Sequence, residues 1–233
     1  MVKDLIGKID VRRQAMLLKK YKPDIIFLQE IDLYTKRAYY KNQLYTLSKY
    51  TGLNYRAMGT NIKYRSGFYG DGILSKFPIE YSANYLSPLK NPSHEQRGIL
   101  CNKVTFGNTK INIFSIHMST FEDERILTAK ELLRITSKIN KGEPIIIGGD
   151  FNVGITKAGN HKYNFKSQEK YEEYEILKTR FKHIENTEAT WHSLEGSGCI
   201  DTFFYSKNLQ LIKQYAIKTD ISDHYPIYSE FLI

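Results

Sequence analysis

Short apolar runs alternate along the chain with stretches of helical period. Residues 24–30 read Asp-Ile-Ile-Phe-Leu-Gln-Glu behind Pro23, the pattern of a buried strand. Residues 72–76 form a second such run, halted by Pro78. Residues 98–106 and 111–117 flank Gly107-Asn-Thr-Lys110 and predict a hairpin. Residues 144–148 make another buried run that ends in glycines, and 200–205, 209–217 and 226–233 complete the strand set. Between them, 9–21 carries Ala15, Leu18 and Tyr21 at helical spacing, and 43–50 stops at Gly52. Residues 122–140 place Ile126, Ala129, Leu133 and Ile139 near one face, and 170–181 space Tyr171, Tyr174, Leu177 and Phe181 by three, three and four. This alternation predicts an α/β chain of two packed sheets with outer helices.

No Pro/Gly/Ser-rich linker divides the 233 residues, so 1–233 reads as a single domain. A hydrophobic fraction of 41% with 25% charged residues excludes a wholly disordered chain. No apolar run approaches the roughly 20 residues of a membrane span, so no stable membrane insertion is expected. The two cysteines, Cys101 and Cys199, make no disulfide framework, and no Cys/His spacing suits structural zinc. Residues 1–22 carry charges throughout and lack an apolar core, which predicts no signal peptide and a cytoplasmic location. Lys and Arg number 34 against 25 Asp and Glu, a net charge of +9. That surplus fits a polyanionic partner, whether nucleic acid, an anionic surface or a phosphorylated small molecule, and equally a lysine-rich composition.

The chemistry gathers where apolar strands stop. One ends in Gln29-Glu30, one in Ile116-His117-Met118, and one runs into Gly149-Asp150-Phe151-Asn152. A fourth starts at Ile200-Asp201, and Ser222-Asp223-His224-Tyr225 precedes the last. Strand ends are rigid platforms, and the ligands of α/β folds collect outside them. A carboxylate beside a buried strand loses hydration unless something compensates it, and a divalent cation compensates several together. Oxygen ligands without cysteine suit Mg²⁺, Mn²⁺ or Ca²⁺. Each piece alone has a plain structural explanation, from a strand terminus at Glu30 to a turn at Asp150; the order of all five together is what carries weight.

Those five motifs, with Gly72-Ile-Leu-Ser-Lys-Phe-Pro78, Glu95-Gln-Arg-Gly98 and the helix near Glu124-Arg125, resemble the endonuclease/exonuclease/phosphatase superfamily over essentially the whole chain. The resemblance implies a four-layer α/β sandwich of two mixed β-sheets flanked by helices, and metal-dependent phosphoester hydrolysis. It implies Mg²⁺ or Mn²⁺ held by Glu30, with Asp223 as a further ligand and Asp150 and Asn152 orienting water or holding a second metal. His224 is implied as the base, held in its tautomer by Asp201, with Asp150 open to share that role; His117 is implied to hydrogen-bond a phosphate oxygen. The catalytic set is thus His117, Asp150, Asn152, Asp201 and His224.

The departure lies at the start. Family members open with a strand ending in Tyr-Asn or Phe-Asn, whereas residues 1–10 look like the loop that follows it. Fold does not choose the phosphoester. Residues 153–170 and 61–68 interleave basic and aromatic side chains, a pattern that suits a solvated lysine-rich loop as well as the nuclease or general phosphodiesterase it leans toward. The alternatives are a phosphatase or phosphodiesterase for lipid headgroups or small molecules, and a non-catalytic binding module lacking the first strand.

Overall fold

The computed structural model describes residues 10–139, 142–153, 155–158, 162–165, 171–184, 188–193 and 196–233. The elements run α1 (Val11–Lys20), β1 (Ile25–Leu33), a 3₁₀ turn (Lys36–Ala38), α2 (Gln43–Thr51), β2 (Tyr55–Tyr64), β3 (Gly67–Ser75), β4 (Ile79–Leu86), β5 (Gly98–Phe106) and β6 (Thr109–His117). There follow α3 (Glu122–Thr136), β7 (Ile145–Asp150), β8 (Ile155–Ala158), β9 (Lys162–Phe165), α4 (Glu172–Lys178) and β10 (Lys182–His183). The chain closes with β11 (Trp191–Ser193), β12 (Gly196–Gly198), β13 (Asp201–Tyr205), β14 (Gln210–Ala216) and β15 (Ile227–Leu232).

The larger sheet orders β10-β13-β7-β6-β5-β4, and the smaller orders β1-β3-β2. Among the described residues only the larger is mixed, through the parallel pair β6–β7, so the expectation of two mixed sheets is corrected. The smaller is antiparallel throughout: β2 and β3 form a hairpin, and β1 pairs antiparallel with the other edge of β3. Three apolar clusters explain the layering. Ile73 of the smaller sheet meets Leu100, Ile113 and Ile146 of the larger between the two sheets. Phe114, Ile116 and Ile147 turn the other way, onto Ala129 and Leu132 of α3 and Leu177 of α4. Ala15 of α1 and Leu44 and Leu47 of α2 cover Ile26, Ile31 and Leu74 on the outer face of the smaller sheet. Each fully buried aliphatic or aromatic side chain here is worth about 1.5–3 kcal/mol of burial.

Helix α3 is turned slightly from the stripe its sequence suggests: Ala129 is in the core and Leu133 and Ile139 pack against its margin. Ile126 and Leu133 are half-buried, while Arg125, Thr128, Ala129, Leu132 and Ile135 face inward. The rotation follows from a buried ion pair, Arg125 to Glu173 at the start of α4, which turns a charged residue into the helix interface. Helix α4 is also shorter than predicted.

Strands β1 and β15 face each other without pairing. Among the described residues, β1 pairs only with β3 and β15 only with β14. A cavity of about 440 Å³ separates them, lined by Ile25, Phe27, Ile227 and Phe231 along its length. Glu30, Asp150, Asp201 and His224 also line it. No helix among the described residues is long and apolar enough to cross a membrane.

His183 of β10 gives the fold an acid sensitivity. Its ring stacks on Phe204 with centroids 4.4 Å apart, and Nε2 lies 3.1 Å from the Thr202 hydroxyl. Its Nδ1 is buried without a partner among the described atoms. Burial lowers its pKa to about 4, whereas an unfolded histidine titrates near ~6.5. The neutral ring therefore contributes full stability above ~6.5, and that contribution is lost as pH falls toward about 4. His183→Phe keeps the stack and removes the titration. Its melting temperature is expected to drop less than that of the parent chain between pH 7.5 and pH 4.5; an equal drop would place the acid sensitivity elsewhere.

Candidate active site at the strand ends

Strand register assembles most of the site. His117 at the end of β6 is the parallel partner of Asp150 at the end of β7, and Asp150 is the antiparallel partner of Asp201 at the start of β13. Register partners on adjacent strands present their side chains to the same face. Three residues far apart in sequence thus form one row along the rim of the larger sheet. The facing rim of the smaller sheet supplies Glu30. A bulge in β1 between Leu28 and Ile31 leaves Glu30 at φ 58°, the left-handed region that a non-glycine residue rarely occupies. The kink re-aims the side chain out of the strand's alternation, and Gln29 beside it donates from Nε2 to Ser115 Oγ at 3.1 Å.

Gly149 lets these pieces approach. A Cβ there would sit 2.0 Å from the carbonyl oxygen of Ile116 and 2.9 Å from Gln29 Nε2, and its φ is +144°. Any side chain would wedge β7 away from β6 and from the bulge carrying Glu30. The adjoining turn is fixed from within. The amide of Asn152 donates to Asp150 Oδ1 at 2.8 Å, and Asn152 Nδ2 donates to the Met118 carbonyl at 2.9 Å. With its NH₂ group so committed and φ at 51°, Asn152 keeps its amide oxygen for other contacts. Both residues are buried.

Arg97 sets the state of His117. Its Nη1 lies 2.9 Å from His117 Nδ1. A guanidinium only donates, so Nδ1 must be the acceptor and the ring proton must sit on Nε2. That Nε2 lies 3.3 Å from Asp150 Oδ2. Burial, reinforced by Arg97 and His224, holds the His117 pKa well below the usual imidazole value. His117 is therefore held neutral and donates through Nε2. Arg97→Gln is expected to reduce turnover by about ten- to a hundredfold, the usual cost of losing a residue that orients a site ligand. It should also raise the His117 pKa toward the usual range, which NMR titration of its ring protons would show; an unmoved titration would remove Arg97 from this role.

Asp201 and His224 form a second unit. His224 Nδ1 lies 2.9 Å from Asp201 Oδ2, which leaves Nε2 as the other functional nitrogen. Thr190, fully buried, holds the two together: its hydroxyl accepts from the amides of Ile200 and Asp201 at 3.0 Å each, and its carbonyl accepts from the amide of Tyr225 at 2.6 Å. Burial disfavours the imidazolium of His224, but the Asp201 carboxylate outweighs it, joined by Asp150 and Asp223, and the pKa rises to about 9. Burial and the nearby Asp201 push Asp150 up to about 7.

Two further residues lie outside the five strand-end motifs. Asp71 on β3 is 1% exposed; Asn61 Nδ2 donates to its Oδ2 at 2.9 Å, and Oδ1 has no partner among the described atoms. Burial raises its pKa to about 7, within the fields of Arg97 and Asp150. An acid immediately before the apolar run at Gly72 is the one sequence signal that points to it. Arg97 stands in the Glu95–Gly98 motif, and its ion pair to Glu95 at 2.6 Å fixes the guanidinium beside His117. Side chains of the predicted basic-aromatic stretch 154–170 lie outside the described residues.

The donor set fits a hard divalent cation. One ligand atom each from Asp150, Asp201 and His224 lie within 4.8 Å of one another, and Glu30 opens into the same cavity. In that trio Asp201 and Nδ1 of His224 already engage each other, so Asp150 is the natural ligand and the His224–Asp201 pair the neighbouring acid–base unit.

Comparison with known proteins agrees with this geometry. YbhP of Escherichia coli K12 is 31% identical over 107 residues, which span 45% of this chain and 41% of that protein. An endonuclease/exonuclease/phosphatase structure from Beutenbergia cavernae superposes with TM-score 0.75 at 14% identity, covering 98% of this chain and 68% of that one. A humanized Danio rerio TDP2 superposes with TM-score 0.71 at 20% identity, covering 96% and 91%. The mannosyl-6-phosphatase Bt3783 of Bacteroides thetaiotaomicron gives TM-score 0.66 at 16% identity, covering 96% and 90%. The profile of the Endonuclease/Exonuclease/phosphatase family matches residues 9–224, nearly the full length, and the chain belongs to that family.

Proposed function

We propose that this chain is a phosphodiesterase that uses Mg²⁺ or Mn²⁺ and takes nucleic acid as its substrate. The observation that carries the reading is the row His117–Asp150–Asp201 with His224 docked on its end, open to the cavity that Glu30 also lines. Glu30, Asp150, Asn152 and Asp223 are the residues proposed to hold the cation. A bound cation would neutralise the non-bridging phosphate oxygens and offset the negative field that keeps His224 protonated. Asp201 fixes Nδ1 of His224, so proton exchange with the attacking water falls to Nε2, with Asp150 beside it. His117 donates from Nε2, which Arg97 keeps protonated, to a phosphate oxygen as charge develops there.

The test is hydrolysis of bis-p-nitrophenyl phosphate, single-stranded DNA, RNA, a sugar 6-phosphate and a phospholipid, each with Mg²⁺ and with EDTA. Cleavage of the diester and of an oligonucleotide, abolished by EDTA and restored by Mg²⁺ or Mn²⁺, is expected. Turnover of the monoester alone would move the assignment to a small-molecule phosphatase. Full activity in EDTA would remove the metal.

A further inference from the structure

A second built feature stands beside the catalytic rim, where β1 and the β2–β3 hairpin run past Glu30. The chain from Leu33 to Asn42 folds over the hairpin tip as one piece. The amide of Tyr34 donates to the Lys41 carbonyl at 3.1 Å, Leu33 bridges Asn42, and Ser66 Oγ donates to the Tyr34 carbonyl at 3.3 Å. Gly67 permits the closure, since a Cβ there would lie 2.1 Å from the Leu33 carbonyl oxygen. Arg37 locks it. Its Nε reaches both oxygens of the buried Asp32 at 2.9 and 3.1 Å, and its guanidinium lies 4.8 Å from the ring centroids of both Tyr64 and Tyr69.

What this scaffold presents to solvent is aromatic and basic. Tyr39 is 78% exposed and Tyr40 58%, with Tyr34 and Phe68 beside them at 52% and 43%. Residues 33–41 contribute Lys36 and Lys41, and residues 61–68 contribute Lys63 and Arg65; the one acid beside them, Asp32, is buried and already paired with Arg37. A merely solvated basic loop has no need of this construction. Seven non-glycine residues among those described have positive φ. Lys22 follows the end of α1, Glu30 and Asn152 stand in the active site, and the other four, Tyr34, Tyr39, Tyr40 and Arg65, all stand here. Bulky residues keep that conformation where the surrounding structure imposes it, and such positions cluster at functional sites.

Single strands are recognised by aromatic faces, on which unstacked bases lie, interleaved with cations that follow the phosphates. A duplex offers no free base faces to exposed tyrosines. Tyr34 follows Glu30 by four residues, just past the end of β1 at Leu33, which is at most about 13 Å at ~3.3 Å per residue, so a strand whose scissile phosphate sits at Glu30 reaches this rim within a few nucleotides. Tyr69 under the rim lies in the fields of Glu95 and Arg97, the pair that orients His117. We infer that the Tyr34–Lys41 loop and the β2–β3 hairpin tip form a binding platform for single-stranded nucleic acid, which feeds one phosphodiester to the catalytic row. The inference rests on the phosphodiesterase reading for its purpose, though its binding test does not.

The experiment is fluorescence anisotropy of a labelled 12-nucleotide oligothymidylate in EDTA, with a mixed-sequence duplex of equal length and phosphatidylserine vesicles as comparators. Binding of the single strand in preference to both is expected. Y39A/Y40A should weaken it at least about tenfold, roughly the loss of one stacked base. K36A/K41A should weaken it and flatten the salt dependence by about 1.4 in log–log slope, from two phosphate contacts at ~0.7 each. Melting temperatures near that of the parent chain establish that the variants fold. Preference for the duplex or the vesicles, no binding at all, or parent-like affinity in both variants would overturn the platform. If the parent chain hydrolyses bis-p-nitrophenyl phosphate yet binds no oligonucleotide, the platform fails and the phosphodiesterase stands. If it binds through these residues and cleaves no phosphodiester, the platform stands and the phosphodiesterase fails.

Discussion

His224→Ala is expected to lower kcat on a phosphodiester by at least about a hundredfold. Loss of a positioned acid–base group costs about 10²–10⁴ in rate, or roughly 3–5 kcal/mol of barrier. The geometry places this group in a pair: Nδ1 is committed to Asp201 at 2.9 Å, and only Nε2 is left to exchange a proton with the reacting water. Asp201→Asn should cost less, because the imidazole remains even when its tautomer and charge are no longer fixed. It should also lower the pKa of His224, since the Asp201 carboxylate is the main influence raising it. The double variant should resemble His224→Ala alone, as residues acting as one unit do not add. Additive losses in steady-state kinetics would show that the two act separately.

Asp150→Asn should be comparably damaging to rate, again at least about a hundredfold, and it should leave the fold at least as stable. The carboxylate is buried, accepts the Asn152 amide on Oδ1, and faces His117 on Oδ2 at 3.3 Å. Burial, with Asp201 alongside, raises its pKa to about 7, so the folded chain holds a proton there that the unfolded chain releases near ~3.9. A raised carboxyl pKa means that stability falls as pH rises from ~3.9 through about 7. In EDTA at pH 8 the neutral amide removes that penalty, and the melting temperature should hold or climb while turnover collapses. A large fall in melting temperature would mean that Asp150 serves the fold first.

The strands easiest to read were those with continuous apolar runs, because burial on both faces leaves that mark. Residues 145–150, 201–205 and 109–117 are such strands, and they carry three of the site residues. β2 and β4 carry no apolar signature, for opposite reasons. β2 turns Ala57 and Gly59 inward, residues too small to register as an apolar stripe. β4 is the edge of the larger sheet and is half-exposed or exposed along its whole length, so no buried face marks it. In the site, the His224–Asp201 contact follows from two legible motifs meeting. The hold of Arg97 on His117 and the burial of Asp71 could not be read, because both depend on which strands lie side by side. Thr190 is the clearest case: a lone threonine in a loop clamps the segments bearing Asp201 and His224, and nothing near it in sequence announces that task.

Among the described residues no ladder joins β1 to β15, and that flank bears on how the molecule loses activity. Hydrogen-bond ladders couple strands into units that open together, and a flank without a ladder is a seam between such units. The hairpin β14–β15 meets the rest of the chain through side-chain packing, such as Phe231 on Phe203 and Tyr205, and through the short links around Thr190. His224 lies on the segment that leads into that hairpin. Amide exchange should therefore be faster across 210–216 and 227–232 than across β5, β6 and β7, which are laddered on both edges. Gentle heating or low denaturant would then swing His224 away from Asp201 while the six-stranded sheet is still intact. Inactivation would precede melting, and it would reverse on cooling.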